Sequence, residues 1–273
     1  METLPARLVL DFDPARDGFS FGNAFQWTET DLSFLAERYR RLTTAAVGLV
    51  GALGGGAAGG LLGAVAGAGA SGAAGRAGVG DGLLRSTVRR WNSFGLCGGM
   101  ALTAIERWQG SGRVPTSALR PEPLRMLLWR RQQQTLDASL ATFARLWARV
   151  RFVPGNTPHA PLADELAAEL DRIVASLAKG RPALVGLVGD APDPFALHQV
   201  VVFGIERRGR LSATLSVYDP NAPGRTRSIQ TRRALEAGRT CLTTDMPTGR
   251  RPSGRCHIST RPGELSHLFV IEV

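Results

Sequence analysis

The sequence predicts an α+β protein in which helices come first and an antiparallel sheet follows. Three observations lead to this prediction. Residues 98–179 repeat apolar side chains at helical spacing, and after Pro182 the pattern changes to short runs of Val, Ile, Leu and Phe. Turns rich in Gly, Pro and Asp separate these runs, as they do between strands. A chain of 273 residues is also long enough to bury a substantial core.

Four segments have the apolar spacing of amphipathic helices. In the last one Pro161 stands at the start and Gly180 follows the end, and these residues are common start and stop signals of helices. Four further segments have the composition of strands, and the first 26 residues are predicted to be irregular or extended. The predicted helices are 28–42, 98–108, 123–150 and 161–179, and the predicted strands are 183–188, 198–206, 211–218 and 268–273.

A Gly/Ala-rich apolar insert at residues 43–80 separates an N-terminal segment, 1–42, from the main domain, 81–273. Small residues recur at every fourth position of the insert, which creates a helix face that a second helix can approach closely, as in membrane helices. Glycine also has high backbone entropy, so a flexible linker is the alternative. Both interpretations stay open, and the first implies that residues 43–75 associate with a membrane. The repeated residues are Gly51, Gly55, Gly59, Gly63, Gly67, Ser71 and Gly75.

The formal net charge is +10, and every basic residue except Lys179 is an arginine. No arginine run alternates with aromatic residues as in single-strand binding surfaces, and no helix has a continuous basic face. We therefore expect no nucleic-acid partner. Residues 1–30 lack a basic stretch followed by an apolar one, so we expect no cleavable secretory signal. The protein would then remain in the cytoplasm or leave it by another route.

Three cysteines form neither a disulfide framework nor a paired CxxC metal site. A bridge between Cys241 and Cys256 would leave Cys97 as a free thiol. His257 beside Cys256, with His267 further on, has the spacing of no known zinc site. We therefore expect neither a metal nor a cofactor.

Cys97 has the surroundings of a reactive thiol. It precedes two glycines and an amphipathic helix in the segment FGLCGGMALTAIERW. Backbone N–H groups and the positive end of the helix dipole favour a thiolate there, and the glycines would leave room for the backbone of a substrate. A cysteine at a helix start is also common as a small buried apolar residue. The segment alone leaves both interpretations open.

A second segment supplies a histidine and a carboxylate. FALHQVVVFGIERRGRLSATLSVYDPNAPG predicts a β-hairpin that turns at Arg208 and Gly209. With a two-residue loop, His198 and Asp219 lie directly opposite each other on one face. Their Cβ atoms would be about 4.5–5.5 Å apart, which suits an imidazole–carboxylate hydrogen bond. Asn221 would be a diagonal neighbour on the same face.

These segments resemble the papain-like cysteine peptidases, in particular the double-glycine leader peptidases of bacteriocin exporters and related bacterial proteins with GLCGGM, HQVV and YDPN motifs. The resemblance covers residues 91–224, and GFSFGNAF at residues 18–25 fits the same set loosely. It implies a papain-like fold in which Cys97 is the nucleophile, His198 the general base and Asp219 the group that orients the histidine.

A site of this kind hydrolyses an amide, isopeptide or ester bond through a covalent acyl-enzyme, so the resemblance implies a peptide, protein or amide substrate. The same residues serve acyltransferases and deamidases, and a non-catalytic protein that binds a membrane or a partner is the alternative outside the enzymes. Together with a membrane-associated insert, the activity would suit a secreted bacterial effector or toxin.

One position departs from the papain-like pattern. These enzymes usually carry a glutamine six residues before the cysteine, where its amide holds the oxyanion of the intermediate. Trp91 occupies that position here, and Asn92 is the nearest amide. The backbone N–H of Cys97 would supply the other donor. Asn92 and Asn221 are therefore the candidate secondary residues of the site.

Overall fold

The computed structural model describes residues 7–34, 37, 95–110, 121–152, 163–188, 198–233, 240–246, 263–265 and 267–273. These residues form the mixed α+β fold that the sequence predicts, with an antiparallel sheet after the helices. The insert at residues 43–80 lies outside the described residues. Within the described ranges, no helix is both long enough and apolar enough to cross a membrane.

Three long helices precede the main part of the sheet: α1 (Cys97–Gln109), α2 (Pro121–Phe152) and α3 (Ala163–Ala178). Their positions agree with three of the predicted helices. Helix α3 ends as its sequence predicts, because Gly180 adopts a positive φ of 68° and donates its N–H to the carbonyl of Leu177. Its apolar face buries Leu166, Leu170, Ile173, Val174 and Leu177.

In the described part of the chain, eight strands form one antiparallel sheet with the order β7-β6-β5-β4-β3-β2-β8, and β1 also pairs with β3. The four predicted strands correspond to β2, β3, β4 and β8, whereas the sequence did not indicate β1, β5, β6 or β7. The strands are β1 (Arg7–Val9), β2 (Ala183–Val188), β3 (His198–Arg207), β4 (Ala213–Tyr218), β5 (Thr226–Arg233), β6 (Thr240–Thr244), β7 (Gly263–Leu265) and β8 (His267–Val270).

Both faces of the central strands are buried, and each face has its own core. On one face, Val185 and Val200 pack with the apolar side of α3. On the other face, Leu184 and Val201 pack with residues of α1 and α2. Because neighbouring residues of a strand point to opposite faces, two buried faces require the continuous apolar runs seen in β2 and β3.

The register between β3 and β4 differs from the predicted one. Arg207 pairs with Ala213 instead of Arg210, and the register shifts again between Val202 and Gly204. The predicted two-residue turn is wrong because the connection is longer, closed by a 2.8 Å bond from the N–H of Arg208 to the carbonyl of Ser212.

The first residues of the chain contribute to this fold. The chain divides into two compact units, Met1–Asn23 with Leu96–Val273, and Ala24–Gly95. Strand β1 pairs with β3, Phe12 and Phe19 are buried, and the N–H of Phe19 donates to the hydroxyl of Tyr218 at 3.0 Å. This differs from the predicted division, in which residues 1–42 lie apart from a domain that begins at residue 81.

The predicted helix at residues 28–42 has its start in the described part of the second unit, where residues 29–34 are helical. Thr28 and Asp31 form a reciprocal cap. The N–H of Thr28 donates to Oδ2 of Asp31 at 2.7 Å, and the N–H of Asp31 donates to Oγ1 of Thr28 at 3.3 Å. This pairing explains why the helix begins at this point in the sequence.

Candidate active site

Cys97 is the first residue of α1, one residue earlier than the predicted start of this helix, and its side chain is buried with a free thiol. Leu96, at the cap position, makes no side-chain hydrogen bond to the helix. The N–H of Gly99 donates to Oε1 of Gln132 on α2 at 3.0 Å, which satisfies one of the first donors of the helix. The N–H of Cys97 lies too early in the helix to have an acceptor within it. It is therefore suited to bind an oxyanion that forms beside the thiol.

The two glycines after Cys97 allow close packing within the protein. A Cβ atom at Gly98 would lie 2.0 Å from Oε1 of Gln199 and 2.3 Å from Oγ1 of Thr135. A Cβ atom at Gly99 would lie 2.1 Å from the carbonyl oxygen of Leu128. The predicted role of these glycines, to leave room for a substrate, is therefore corrected: they let α1 approach β3 and α2, and so set the position of Cys97.

His198 is the first residue of β3, and its side chain is 19% exposed. Its Nε2 atom lies 2.7 Å from Oδ1 of Asp219. Since Asp219 occupies Nε2, Nδ1 is the ring nitrogen left for Cys97, whose side chain raises the pKa of His198. The side chains of Cys97 and Asp219, which the sequence singled out, thus both interact with His198.

Asp219 reaches His198 by a route that the sequence analysis did not foresee. Strand β4 ends at Tyr218, where that residue pairs with Val201. If the ladder continued in this register, Asn221 would lie opposite His198. Instead the chain turns, with the N–H of Ala222 donating to the carbonyl of Asp219 at 2.9 Å. The turn places the carboxylate beside the imidazole although the predicted direct pairing is wrong.

The carboxylate of Asp219 is buried, with only 1% of its side chain exposed. Its Oδ1 atom also accepts the N–H of Asn221 at 2.8 Å. Its Oδ2 atom is buried and has no hydrogen-bond partner among the described residues. A buried carboxylate needs a compensating positive charge, and protonated His198 supplies one.

The surroundings of His198 favour its protonated form. Burial by itself lowers the pKa of His198, but the hydrogen bonds to Asp219 and Cys97, together with the negative charges of both groups, raise it to about 10. A histidine normally titrates near pH 6.5. At neutral pH His198 is therefore held as an imidazolium beside the buried carboxylate of Asp219.

Two asparagines extend the group. The Nδ2 atom of Asn221 lies 3.3 Å from Nε2 of His198. The Nδ2 atom of Asn23 donates to Oδ1 of Asn221 at 3.2 Å, and Oδ1 of Asn23 accepts the N–H of Leu96 at 2.5 Å. Asn221 is one of the predicted secondary residues. Asn92, the other, lies outside the described residues.

Sequence reasoning missed Asn23. The segment GFSFGNAF at residues 18–25, which contains it, was the only signal, because it fits the papain-like set loosely. No spacing rule could connect Asn23 with Leu96 and Asn221, since those contacts span 73 and 198 positions of the chain.

Of the residues in the predicted disulfide and the rejected metal site, the structure describes Cys241 on β6 and His267 on β8. Cys241 on β6 is disulfide-bonded, while Cys256 and His257 lie outside the described residues. Within the parts of the chain that the structure describes, no group of three or more His, Cys, Asp or Glu side chains is placed to hold a metal ion.

The chain matches no protein-family model, no curated protein and no solved structure.

Proposed function

We propose that the protein is a papain-like cysteine hydrolase with Cys97 as nucleophile, His198 as general base and acid, and Asp219 as the residue that orients the imidazole. The observation that carries the proposal is the position of His198, which bonds through Nε2 to the buried carboxylate of Asp219 and also interacts with the thiol at the start of α1. The raised pKa of His198, about 10, supports a protonated imidazole beside the thiol at neutral pH, which is the general acid that the reaction needs.

The proposed reaction has two steps. The Cys97 thiolate attacks the carbonyl carbon of an amide, isopeptide or ester, and a C–S bond forms. The bond to the leaving nitrogen or oxygen breaks as protonated His198 donates its proton to that atom. His198 then removes a proton from water, which attacks the acyl-enzyme and releases the acid and the thiolate. The backbone N–H of Cys97 stabilises the oxyanion in both steps.

A thiol probe tests the proposal without knowledge of the substrate. The intact protein is treated with iodoacetamide near pH 6, and the modified cysteine is mapped by mass spectrometry in the wild type and in His198→Ala. We expect rapid modification of Cys97 in the wild type and slow modification in the variant. An equally slow rate in both proteins would favour the non-catalytic binding protein.

A panel of fluorogenic peptide amides and esters then identifies the reaction. Turnover that requires Cys97 and ends in release of the free acid supports a hydrolase. Transfer of the acyl group to an added amine, with little free acid, would instead assign the site to an acyltransferase. Loss of the amide of a glutamine or asparagine side chain would assign it to a deamidase.

A further inference from the structure

Asn23 bonds to both parts of the proposed catalytic site. On one side its Oδ1 atom accepts the N–H of Leu96, the residue before Cys97. On the other side its Nδ2 atom donates to Oδ1 of Asn221, and its backbone N–H donates to the carbonyl of Pro220 at 3.0 Å. One residue near the N-terminus thus holds the start of α1 against the turn that carries Asp219.

The chemistry of the donors determines which way each amide points. The N–H of Leu96 can only donate, so the atom of Asn23 that faces it must be the oxygen. The nitrogen of Asn23 then faces Asn221, whose nearest atom must be its oxygen. The nitrogen of Asn221 is left facing Nε2 of His198 at 3.3 Å. Because an amide nitrogen does not accept hydrogen bonds, Asp219 is the only acceptor for the Nε2 proton among the described residues.

We propose that Asn23 is a positioning residue of the catalytic site, which holds the Cys97 end of α1 beside the 219–222 turn and keeps the amide of Asn221 turned so that Asp219 alone orients His198. This inference rests on the proposed function. It assigns to the N-terminal segment a role in the chemistry, exerted through Asn221 and Leu96 and without contact with a substrate.

The first test measures how the alkylation rate of Cys97 depends on pH. The titratable groups that act on His198 are Asp219 in the turn and Cys97 at the start of α1. We expect Asn23→Ala to slow alkylation at pH 6 severalfold, because the start of α1 is no longer bonded to the turn that carries Asp219. The control in the same loop is Gly22→Ala, whose added Cβ atom meets nothing within 4 Å and should leave the rate unchanged. Thermal unfolding of each variant shows whether it is folded.

The second test separates positioning from a merely structural role. Asn23→Asp keeps an acceptor for the N–H of Leu96, but its carboxylate cannot donate to Asn221. The amide of Asn221 should then rotate, offering its nitrogen to the new carboxylate and its oxygen to Nε2 of His198. In this background Asn221 becomes a second acceptor for the imidazole. Replacing Asp219 should therefore slow the alkylation of Cys97 less than it does in the wild type.

The test compares how much Asp219→Ala slows the alkylation of Cys97 in two backgrounds, the wild type and Asn23→Asp. In the wild type, Asp219→Ala should slow alkylation at pH 6 by about tenfold or more. An adjacent carboxylate changes the pKa of a neighbouring group by about 1–3. In the Asn23→Asp background the same change should slow it only about threefold or less, because the amide oxygen replaces one acceptor. Asp219→Asn, which keeps the shape of the side chain, is used if Asp219→Ala does not fold.

Two outcomes would overturn the inference, and they are distinguishable. Equal ratios in folded proteins, with fast wild-type alkylation at pH 6, would refute the positioning role of Asn23 and leave the proposed hydrolase intact. A wild-type thiol that reacts only near pH 8.5, as an ordinary cysteine does, would refute the proposed function and with it this inference.

Discussion

The two ends of the β3–β4 ribbon carry the same kind of interaction in opposite surroundings. At the hairpin end, Arg210 pairs with Asp164 at 2.7 Å, and the two side chains are 68% and 84% exposed. At the other end, His198 pairs with Asp219 at the same distance of 2.7 Å, but these side chains are 19% and 1% exposed. Distance alone therefore does not separate the two pairs, whereas exposure does.

The difference in exposure decides what each pair can do. Water and salt screen the exposed pair, so such contacts typically contribute about 0–1 kcal/mol. At the buried end a charge that loses its partner keeps its full desolvation cost. The protonation state of His198 therefore depends on its partners, and the pKa of His198 is raised to about 10. The proposed chemistry therefore belongs to the buried end of the ribbon.

The largest expected effect comes from removing the base at the buried end. His198→Ala should lower turnover of any identified substrate by about 10²–10⁴-fold, which is the usual contribution of a general acid–base group. Cys97→Ala should abolish turnover and thiol labelling together. Steady-state kinetics on folded variants check both. Substantial turnover by His198→Ala would mean that the buried pair is structural, and the contrast between the two ends would no longer hold.

The next effect distinguishes Asp219 from Asn221. We expect Asp219→Ala to reduce turnover by about tenfold or more, because His198 loses a buried charged acceptor. Asn221→Ala should have a smaller effect, since its nitrogen, and not its oxygen, faces Nε2 of His198. The two variants are compared in one assay. A larger loss in Asn221→Ala would mean that the asparagine orients the base.

A further effect concerns the dependence of stability on pH. The pKa of His198 is raised from its usual 6.5 to about 10 in the folded protein. Its contribution to the free energy of unfolding is therefore complete below about pH 6.5 and is lost as the pH rises to about 10. Urea unfolding at pH 6.5 and pH 10 measures this loss. The wild type should lose more stability across this range than His198→Gln; equal losses would contradict the assignment.

The smallest effect is expected at the exposed end. Arg210→Ala should change the free energy of unfolding by less than about 1 kcal/mol and leave the alkylation rate of Cys97 unchanged. Urea unfolding and the iodoacetamide assay measure the two quantities. A slower Cys97 reaction in this variant would indicate that the exposed ion pair affects the reactivity of Cys97. The contrast between the two ends would then be wrong.

Much of the fold could be predicted because its signals are local. The helices α1, α2 and α3 repeat apolar residues at helical spacing, and the strands β2, β3, β4 and β8 are short segments rich in apolar residues. Strand β5 was not predicted because its sequence, TRSIQTRR, is mostly polar and half of its residues are exposed. Its pairing with β4 on one side and β6 on the other makes it a strand, and that information lies in its neighbours.

The features of the site also divide into those that local sequence predicts and those that depend on distant contacts. The sequence by itself determined that Cys97 begins a helix and that His198 and Asp219 stand at the ends of two neighbouring strands, because those positions follow from local patterns. Only the tertiary structure decided the strand register, the contact of Asp219 through a turn, the packing role of Gly98 and the bonds of Asn23. These depend on a longer hairpin loop and on contacts between distant residues, and no local periodicity encodes either.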